Sequence, residues 1–402
     1  MSTDISDITA GTPATDPTSD LDDLVLAGEF PQPARKDWEG LVAKVLGASW
    51  TKDDGPPDQK FATVTADDIV VSPLYTADDT IDSAGYPGQA PFVRGRTAAG
   101  HRGGWDVRQR HGHPDPKIAR AQIMEDLEGG VSSAWLLLGD GHTPVASLPD
   151  VLTEVHLDLA TVVLDAGAHT REAADLFLST AKSRGVPDEQ LLGVLGADPL
   201  GLSARTGDQH DLADAVELAG RCVAGLPNVR ALVVDALPFH ESGATDAEEL
   251  GCSLAAGVEY LRALEAAGIP LAAAFGQLEF RYAATADQFA TIVKTRAARR
   301  AWAAVAAGCG VSAPAAGQRQ HFVTSWTMTT RRDPWNNILR ATLASFSAGV
   351  GGADAVTVLP FDTAIGLPDQ LARRVARNTH VLLVEESHVA AVTDPAGGSW
   401  YV

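Results

Sequence analysis

The densest group of side chains able to do chemistry is the loop His240-Glu241-Ser242-Gly243-Ala244-Thr245. An imidazole beside a carboxylate can pass a proton, and a neighbouring hydroxyl can be oriented or activated by the pair. His111 and His113 form a second candidate, because two residues apart on a strand end share a face, with His101 nearby in sequence. Such a pair can hold a transition metal, although no carboxylate stands at familiar ligand spacing. A third group is Arg94, Arg96, Arg102, Arg108 and Arg110, a basic cluster in an acidic chain. It can meet the phosphates of a cofactor or carrier, or pair with local acids. Three further motifs have plainer readings. Asp140-Gly141-His142 opens a D-x-H-x-x-G pattern, but Val145 stands where the last glycine belongs, so it reads as a turn. Lys294, Arg296, Arg299 and Arg300 share a helix face and read as solvated. Asp333 reads as a cap before Trp335-Asn336-Asn337, which leaves the asparagine pair without an evident role.

Such groups act only where rigid elements hold them. Apolar, β-branched runs occur at 105–111, 131–139, 161–165, 191–197, 231–237, 271–275, 321–328 and 355–359. Helix-like segments alternate with them near 116–128, 147–157, 170–185, 209–225, 245–268, 285–308, 334–350 and 367–379. That alternation predicts a (β/α)8 TIM barrel, over 91–402. An open doubly wound sheet is the competitor, but no GxGxxG follows any strand. In a barrel the loops after the strands carry chemistry, which puts the 240–245 loop in the right place. Thr245 and Glu248 form a capping box there, and Leu250, Leu254, Val258, Leu261 and Leu264 line one face of the helix that follows.

Residues 1–28 are rich in Asp, Ser, Thr and Pro and read as a disordered acidic tail. Residues 29–90 read as an N-terminal extension: an amphipathic helix between 30 and 48, with Trp38, Leu41, Val42 and Val45 on one side, then a hairpin within 59–75. That helix face needs a core or a second subunit to cover it.

The net charge of -21 over 402 residues opposes nucleic acid or an anionic membrane as the main partner. Three scattered cysteines, no signal-like N-terminus and no run of about 18 apolar residues imply a reduced, cytoplasmic setting.

Several stretches together resemble the barrel domain of the methylmalonyl-CoA mutase family: PFVRGR and GGWDVRQRHG, HESGATDAEEL, KTRAARRAW, TSWTMTTRRDPWNN, AIGLPDQLARRVARNT and DPAGGSWYV. They run in family order from about residue 55 onward. The resemblance implies an isomerase, in complex, that interconverts methylmalonyl-CoA and succinyl-CoA through adenosylcobalamin radicals. It also implies departures at the site. The family's catalytic Tyr-His pair falls on Leu237 and Pro238, its substrate-contacting Gln on Gly196, and its loop Tyr on Gly100 or His101. Its coenzyme A contacts fall on Gln277 and Glu279, a further Gln on Val323, and its corrin-facing Asn and Glu on Leu359 and Thr363.

Polar site groups have thus become apolar or wrongly charged while the scaffold motifs persist. The sequence is therefore similar to the family's small, non-catalytic (beta) subunit, expected to pair with a homologous large catalytic chain and to bind no cofactor itself. The family's C-terminal cobalamin-binding domain is expected to be absent from this chain. The alternative is a barrel that still binds an acyl-CoA and runs a related mutase reaction with His101, Arg108 or His240. A third reading makes the tail and the 30–48 helix an interaction module.

Overall fold

The computed structural model describes residues 30–31, 33–47, 51, 55–79, 84–100, 103–312 and 314–402. The expected tail, residues 1–28, lies outside them, as do His101 and Arg102. Two compact units are present, residues 1–74 and 75–402.

The described part of the first unit contains α1 (Arg35–Leu46), a 3-10 turn (Pro57–Phe61) and an antiparallel pair, β1 (Thr63–Val64) and β2 (Val70–Val71). None of the α1 residues is buried, and Leu41 and Val45 of its apolar face are exposed. Val64, Ile69 and Val70 on the hairpin are exposed as well.

In the second unit eight parallel strands close a barrel in sequence order. They are β3 (Asp106–His111), β4 (Ser133–Leu137), β5 (Thr161–Asp165), β6 (Gly193–Ala197), β7 (Val229–Asp235), β8 (Leu278–Ala284), β9 (Gln320–Thr324) and β10 (Ala355–Thr357). The helices between them are α2 (Pro116–Glu128), α3 (Leu148–Val151), α4 (Thr170–Ser183), α5 (Pro199–Thr206) and α6 (Ala213–Gly225). There follow α7 (Leu237–Glu241), α8 (Asp246–Ala266), α9 (Leu271–Gly276), α10 (Gln288–Gly308), α11 (Asn336–Gly351) and α12 (Gln370–Val381). The TIM-barrel expectation holds.

The sixth strand is the principal correction. The apolar run 271–275 is helix α9, and the strand is Leu278–Ala284, reading LEFRYAA. Its inward positions carry Glu279 and Arg281, so the charges that disguise it as a sequence are those that fill the barrel axis. The second helix is also shorter than expected, only Leu148–Val151.

Helix α8 starts as its sequence requires. The Thr245 hydroxyl accepts from Glu248 N at 3.2 Å, and the Glu248 carboxylate accepts from Thr245 N at 2.9 Å. Thr245→Ala is expected to lower unfolding free energy by about 1 kcal/mol, measured by urea denaturation; an unchanged midpoint would show the box to be idle. The buried stripe of α8 differs from the apolar one. It runs through Glu249, Ser253, Gly257, Tyr260, Leu261 and Leu264, because small residues at 253 and 257 let the helix approach Tyr282, Phe280 and Trp302.

The basic run on α10 is a second correction, since Lys294, Arg296 and Arg299 are buried rather than solvated. Lys294 Nζ lies 2.8 Å from both Glu249 and Asp246, and Arg296 pairs with Asp394. Arg299 donates to the carbonyl oxygens of Phe92, Val93, Gly351 and Gly352 and to the Gln320 amide oxygen. Its guanidinium thereby ties the segment before the barrel to the end of α11. Acid pairing and carbonyl bonding offset the desolvation that would otherwise forbid burying these charges.

Candidate functional site

The barrel axis is closed from the bottom upward. Inward positions alternate along each strand, so Asp106, Arg108 and Arg110 of β3 stand at successive levels. At the N-terminal level Arg108 crosses the barrel to Glu279, Nη1 to Oε1 at 2.5 Å, and also meets Asp106 at 3.0 Å. Arg319 reaches the other Glu279 oxygen at 3.1 Å. Burial alone would raise the Glu279 pKa, but Arg108, Arg319 and His321 outweigh it and hold that carboxyl well below the usual carboxylate range. One level up, Arg281 bonds Asp165 at 3.2 Å and Asp235 at 3.0 Å and lies 4.1 Å over the Trp135 ring. His321 bonds Thr357 at 2.8 Å and meets Trp135 edge to face. Val163, Val194, Val233, Val323 and Leu359 complete the packing with Trp135 and Leu137.

Above this plug, at the C-terminal ends of the strands, opens a cavity of about 460 Å³. Leu237, Pro238, Val323 and Leu359 are on its wall, with Arg110, Asp140, Asp165, Arg205, Asp235 and Glu241 as its charged groups. Barrel sites sit on this face. The positions that the family resemblance marks at 237, 238, 323 and 359 are therefore brought together, and each presents an apolar side chain. Pro238 occupies the first turn of α7, where a ring without N–H is tolerated.

Gly196 departs in its backbone as well as in its side chain. Its φ is +74°, the β6–β7 register shifts between Val194 and Ala197, and a Cβ there would sit 1.8 Å from the Leu164 carbonyl oxygen. No side chain can stand at this position without moving β5.

Of the substrate-side candidates, His101 lies outside the described residues. Arg108 is fully buried in the plug, away from the mouth cavity. His240 turns away from the cavity: its Nε2 lies 2.7 Å from Ser325 Oγ and its Nδ1 3.7 Å from Glu249. Serine, imidazole and carboxylate in that order resemble a nucleophilic triad. The resemblance fails on two counts. Ser325 is 1% exposed, and Glu249 is committed to Lys294 and to the Ala283 amide. Burial, then Lys294, pushes the His240 pKa down to about 4, so the ring is neutral near pH 7. Its unfolded value is near 6.5, so unfolding takes up a proton between the two, and stability falls as pH drops from about 6.5 towards 4. His240→Asn is expected to flatten that part of the pH–stability curve, read by chemical denaturation; an unchanged slope would contradict the neutral ring.

The metal reading of His111 and His113 loses its geometry. His111 points outward beneath α2, 3.8 Å from Asp126, and burial followed by Arg373 lowers its pKa to about 3. His113 accepts from the Asp115 amide. No group of three or more metal-capable side chains is found among the described residues. Asp140-Gly141-His142 is the turn its sequence suggested, with Gly141 at φ +78° and Val145 in the core. Asn337 is structural, bonding Thr330 and Phe361 carbonyl oxygens at 2.9 Å each.

The arginine cluster resolves into two kinds. Arg94 pairs with Asp394, Arg96 with Asp354 and Arg108 with Glu279, while Arg110 alone of the described members faces the mouth. The charged strand ends Asp165 and Asp235, and Arg205, escaped the sequence reading. A carboxylate closing a barrel strand was the available signal.

A family model described as methylmalonyl-CoA mutase matches residues 64–137 and 142–402. The chain belongs to the methylmalonyl-CoA mutase family. A methylmalonyl-CoA mutase small subunit of Streptomyces virginiae is 54% identical over 385 residues, covering 95% of this chain and 62% of that relative. The small subunit of Propionibacterium freudenreichii subsp. shermanii is 40% identical over 401 residues, covering 96% and 62%. The methylmalonyl-CoA mutase of Escherichia coli (strain K12) is 27% identical over 399 residues, covering 91% and 55%. The chain thus spans about 62% of the length of the two small subunits.

This mutase family is one of adenosylcobalamin enzymes. The two residues that the sequence resemblance marks as corrin-facing do not fit a polar hold on that group. Leu359 belongs to the axial packing, and Thr363 spends its hydroxyl on the Pro360 carbonyl oxygen at 2.5 Å. No helix of the described residues is long and apolar enough to cross a membrane.

Proposed function

We propose that this chain is the small subunit of an adenosylcobalamin-dependent methylmalonyl-CoA mutase, structural and itself non-catalytic. Its partner is a homologous large catalytic chain, and the assembled cytoplasmic enzyme isomerises methylmalonyl-CoA and succinyl-CoA. Cofactor and substrate are handled by the large chain, and this one binds neither nucleic acid nor membrane.

The observation that carries the reading is the closed axis beneath a mouth that is apolar at the positions the family resemblance marks. Arg108 and Glu279 bar the barrel from side to side, and Leu237, Pro238, Gly196 and Leu359 stand where the family resemblance places reacting and cofactor-facing groups. Catalysis needs polar groups aimed at the changing charge or the abstracted hydrogen, and Leu237, Pro238, Gly196 and Leu359 offer none at those positions. The small-subunit names of the two relatives above agree with this reading.

Exposed Leu41, Val45, Val64 and Val70 in the 1–74 unit supply apolar surface suited to association. Co-expression with a large mutase chain is expected to give a 1:1 complex by sedimentation velocity. Deleting residues 1–48 is expected to weaken it at least about tenfold, or about 1.4 kcal/mol. Failure of the intact chain to associate would overturn the subunit assignment, and unchanged association of the deletion would remove the N-terminal unit's role.

A further inference from the structure

The mouth cavity is apolar at the positions the family resemblance marks, yet it contains a guanidinium held by no ion pair. Arg110 makes no ion pair and no side-chain hydrogen bond among the described residues, and its Nε is buried without a partner. Its guanidinium carbon lies 5.4 Å from the centroid of the Trp135 ring. A desolvated guanidinium that lacks a partner is costly. Of the acids nearby, Asp165 and Asp235 are committed to Arg281, and Asp235 also to Arg205, while Glu241 and Asp140 line the same cavity without reaching Arg110 as an ion pair. Burial lowers the Arg110 pKa, with Asp165 opposing and Arg281 reinforcing that shift.

Arg110 also stands where two cavities meet. The main one, of about 460 Å³, and a neighbour of about 200 Å³ share Arg110, Leu137, His142, Trp326 and Leu359 as lining. Space of this size suits a small molecule, and the plug below excludes any ligand whose tail must thread the barrel. Leu137, Trp326 and Leu359 give the two cavities a shared apolar face beside Arg110, while its flat fork of donors matches a carboxylate.

We propose that the barrel mouth binds a small organic acid, its carboxylate on Arg110 and its apolar body against Leu237, Leu359 and Trp326. Nothing reacts there, and the site is independent of the subunit assignment, since binding by the isolated chain neither requires nor excludes a partner.

The test is calorimetric titration of the full chain at pH 7 with sodium butanoate, butanamide and inorganic phosphate, with Trp fluorescence as a second readout because Trp135 and Trp326 line the cavity. Butanoate is expected to bind saturably, with Kd on the order of 1 mM, and its neutral amide at least about tenfold more weakly. Arg110→Gln is expected to weaken butanoate at least about tenfold, and Arg110→Lys less. Absence of saturation, equal affinity for butanamide, or full binding by Arg110→Gln would overturn the site. Phosphate binding without butanoate binding would overturn the organic-acid assignment. If Arg110→Gln fails to fold, the comparison of butanoate with butanamide on the unaltered chain decides alone.

Discussion

Gly196→Gln, which restores the residue type the family resemblance implies at this position, is expected to prevent stable folding. A Cβ would lie 1.8 Å from the Leu164 carbonyl oxygen and 2.8 Å from its carbon, contacts that only backbone movement relieves. The φ of +74° adds about 1–2 kcal/mol for any residue with a side chain. Leu164 O belongs to β5, where Val162, Val163 and Leu164 are fully buried, so relief has to propagate through the barrel wall. The total is expected to exceed about 4 kcal/mol, in the range reserved for gross steric conflict. Gly196→Ala is expected to lose nearly as much, because the conflict begins at Cβ. Urea denaturation of both variants checks this, and a Gln variant as stable as the parent would mean that the site was lost by side-chain exchange alone. The prediction matters for function because it makes the loss structural: a polar group at 196 cannot be regained without rebuilding the β6 bulge.

Glu279→Gln is expected to destabilise the chain by about 3–5 kcal/mol. Arg108, with no exposed surface, would keep only Asp106 as a charged partner, and Arg319 would lose its own. The paired replacement Arg108→Met with Glu279→Leu is expected to recover most of that loss, since two apolar side chains fill the same space without desolvation cost. The sign with pH follows from the depressed folded pKa of Glu279. Its contribution is complete above the unfolded value near 4.5 and fades as pH falls towards the folded one, so the penalty of Glu279→Gln is constant from pH 7 to about 5 and shrinks below. A penalty that grows on acidification, or a double variant worse than the single, would contradict the plug.

The barrel itself was legible because strands such as β4, β5, β6 and β7 are dominated by apolar side chains on both sides, and such runs are visible as sequence. β8 was not, since Glu279 and Arg281 sit at inward positions that most barrels give to aliphatic residues. The same cause hid the buried stripe of α8 and the burial of Lys294, Arg296 and Arg299: each charge is paired across the fold, and a partner such as Asp394, 98 residues from Arg296, is invisible to local periodicity. The cap of α8 was legible because both its partners lie within one turn.

At the mouth, Leu237, Pro238, Val323 and Leu359 were marked as departures by resemblance, and the barrel brings them onto one wall. His240 was misplaced because it lies in α7 rather than in a loop, with its ring held by Ser325 and near Glu249. Arg108 and Arg110 look alike in sequence, and only the two-residue step along β3 separates a plug from a cavity.

We propose that the chain supports the mutase reaction without performing it. The most direct measurement is methylmalonyl-CoA turnover with adenosylcobalamin supplied, assayed on this chain alone, on the large chain alone and on the two combined. No turnover by this chain alone, with turnover in the combined sample, is the predicted result. Conversion to succinyl-CoA by this chain alone would contradict the account.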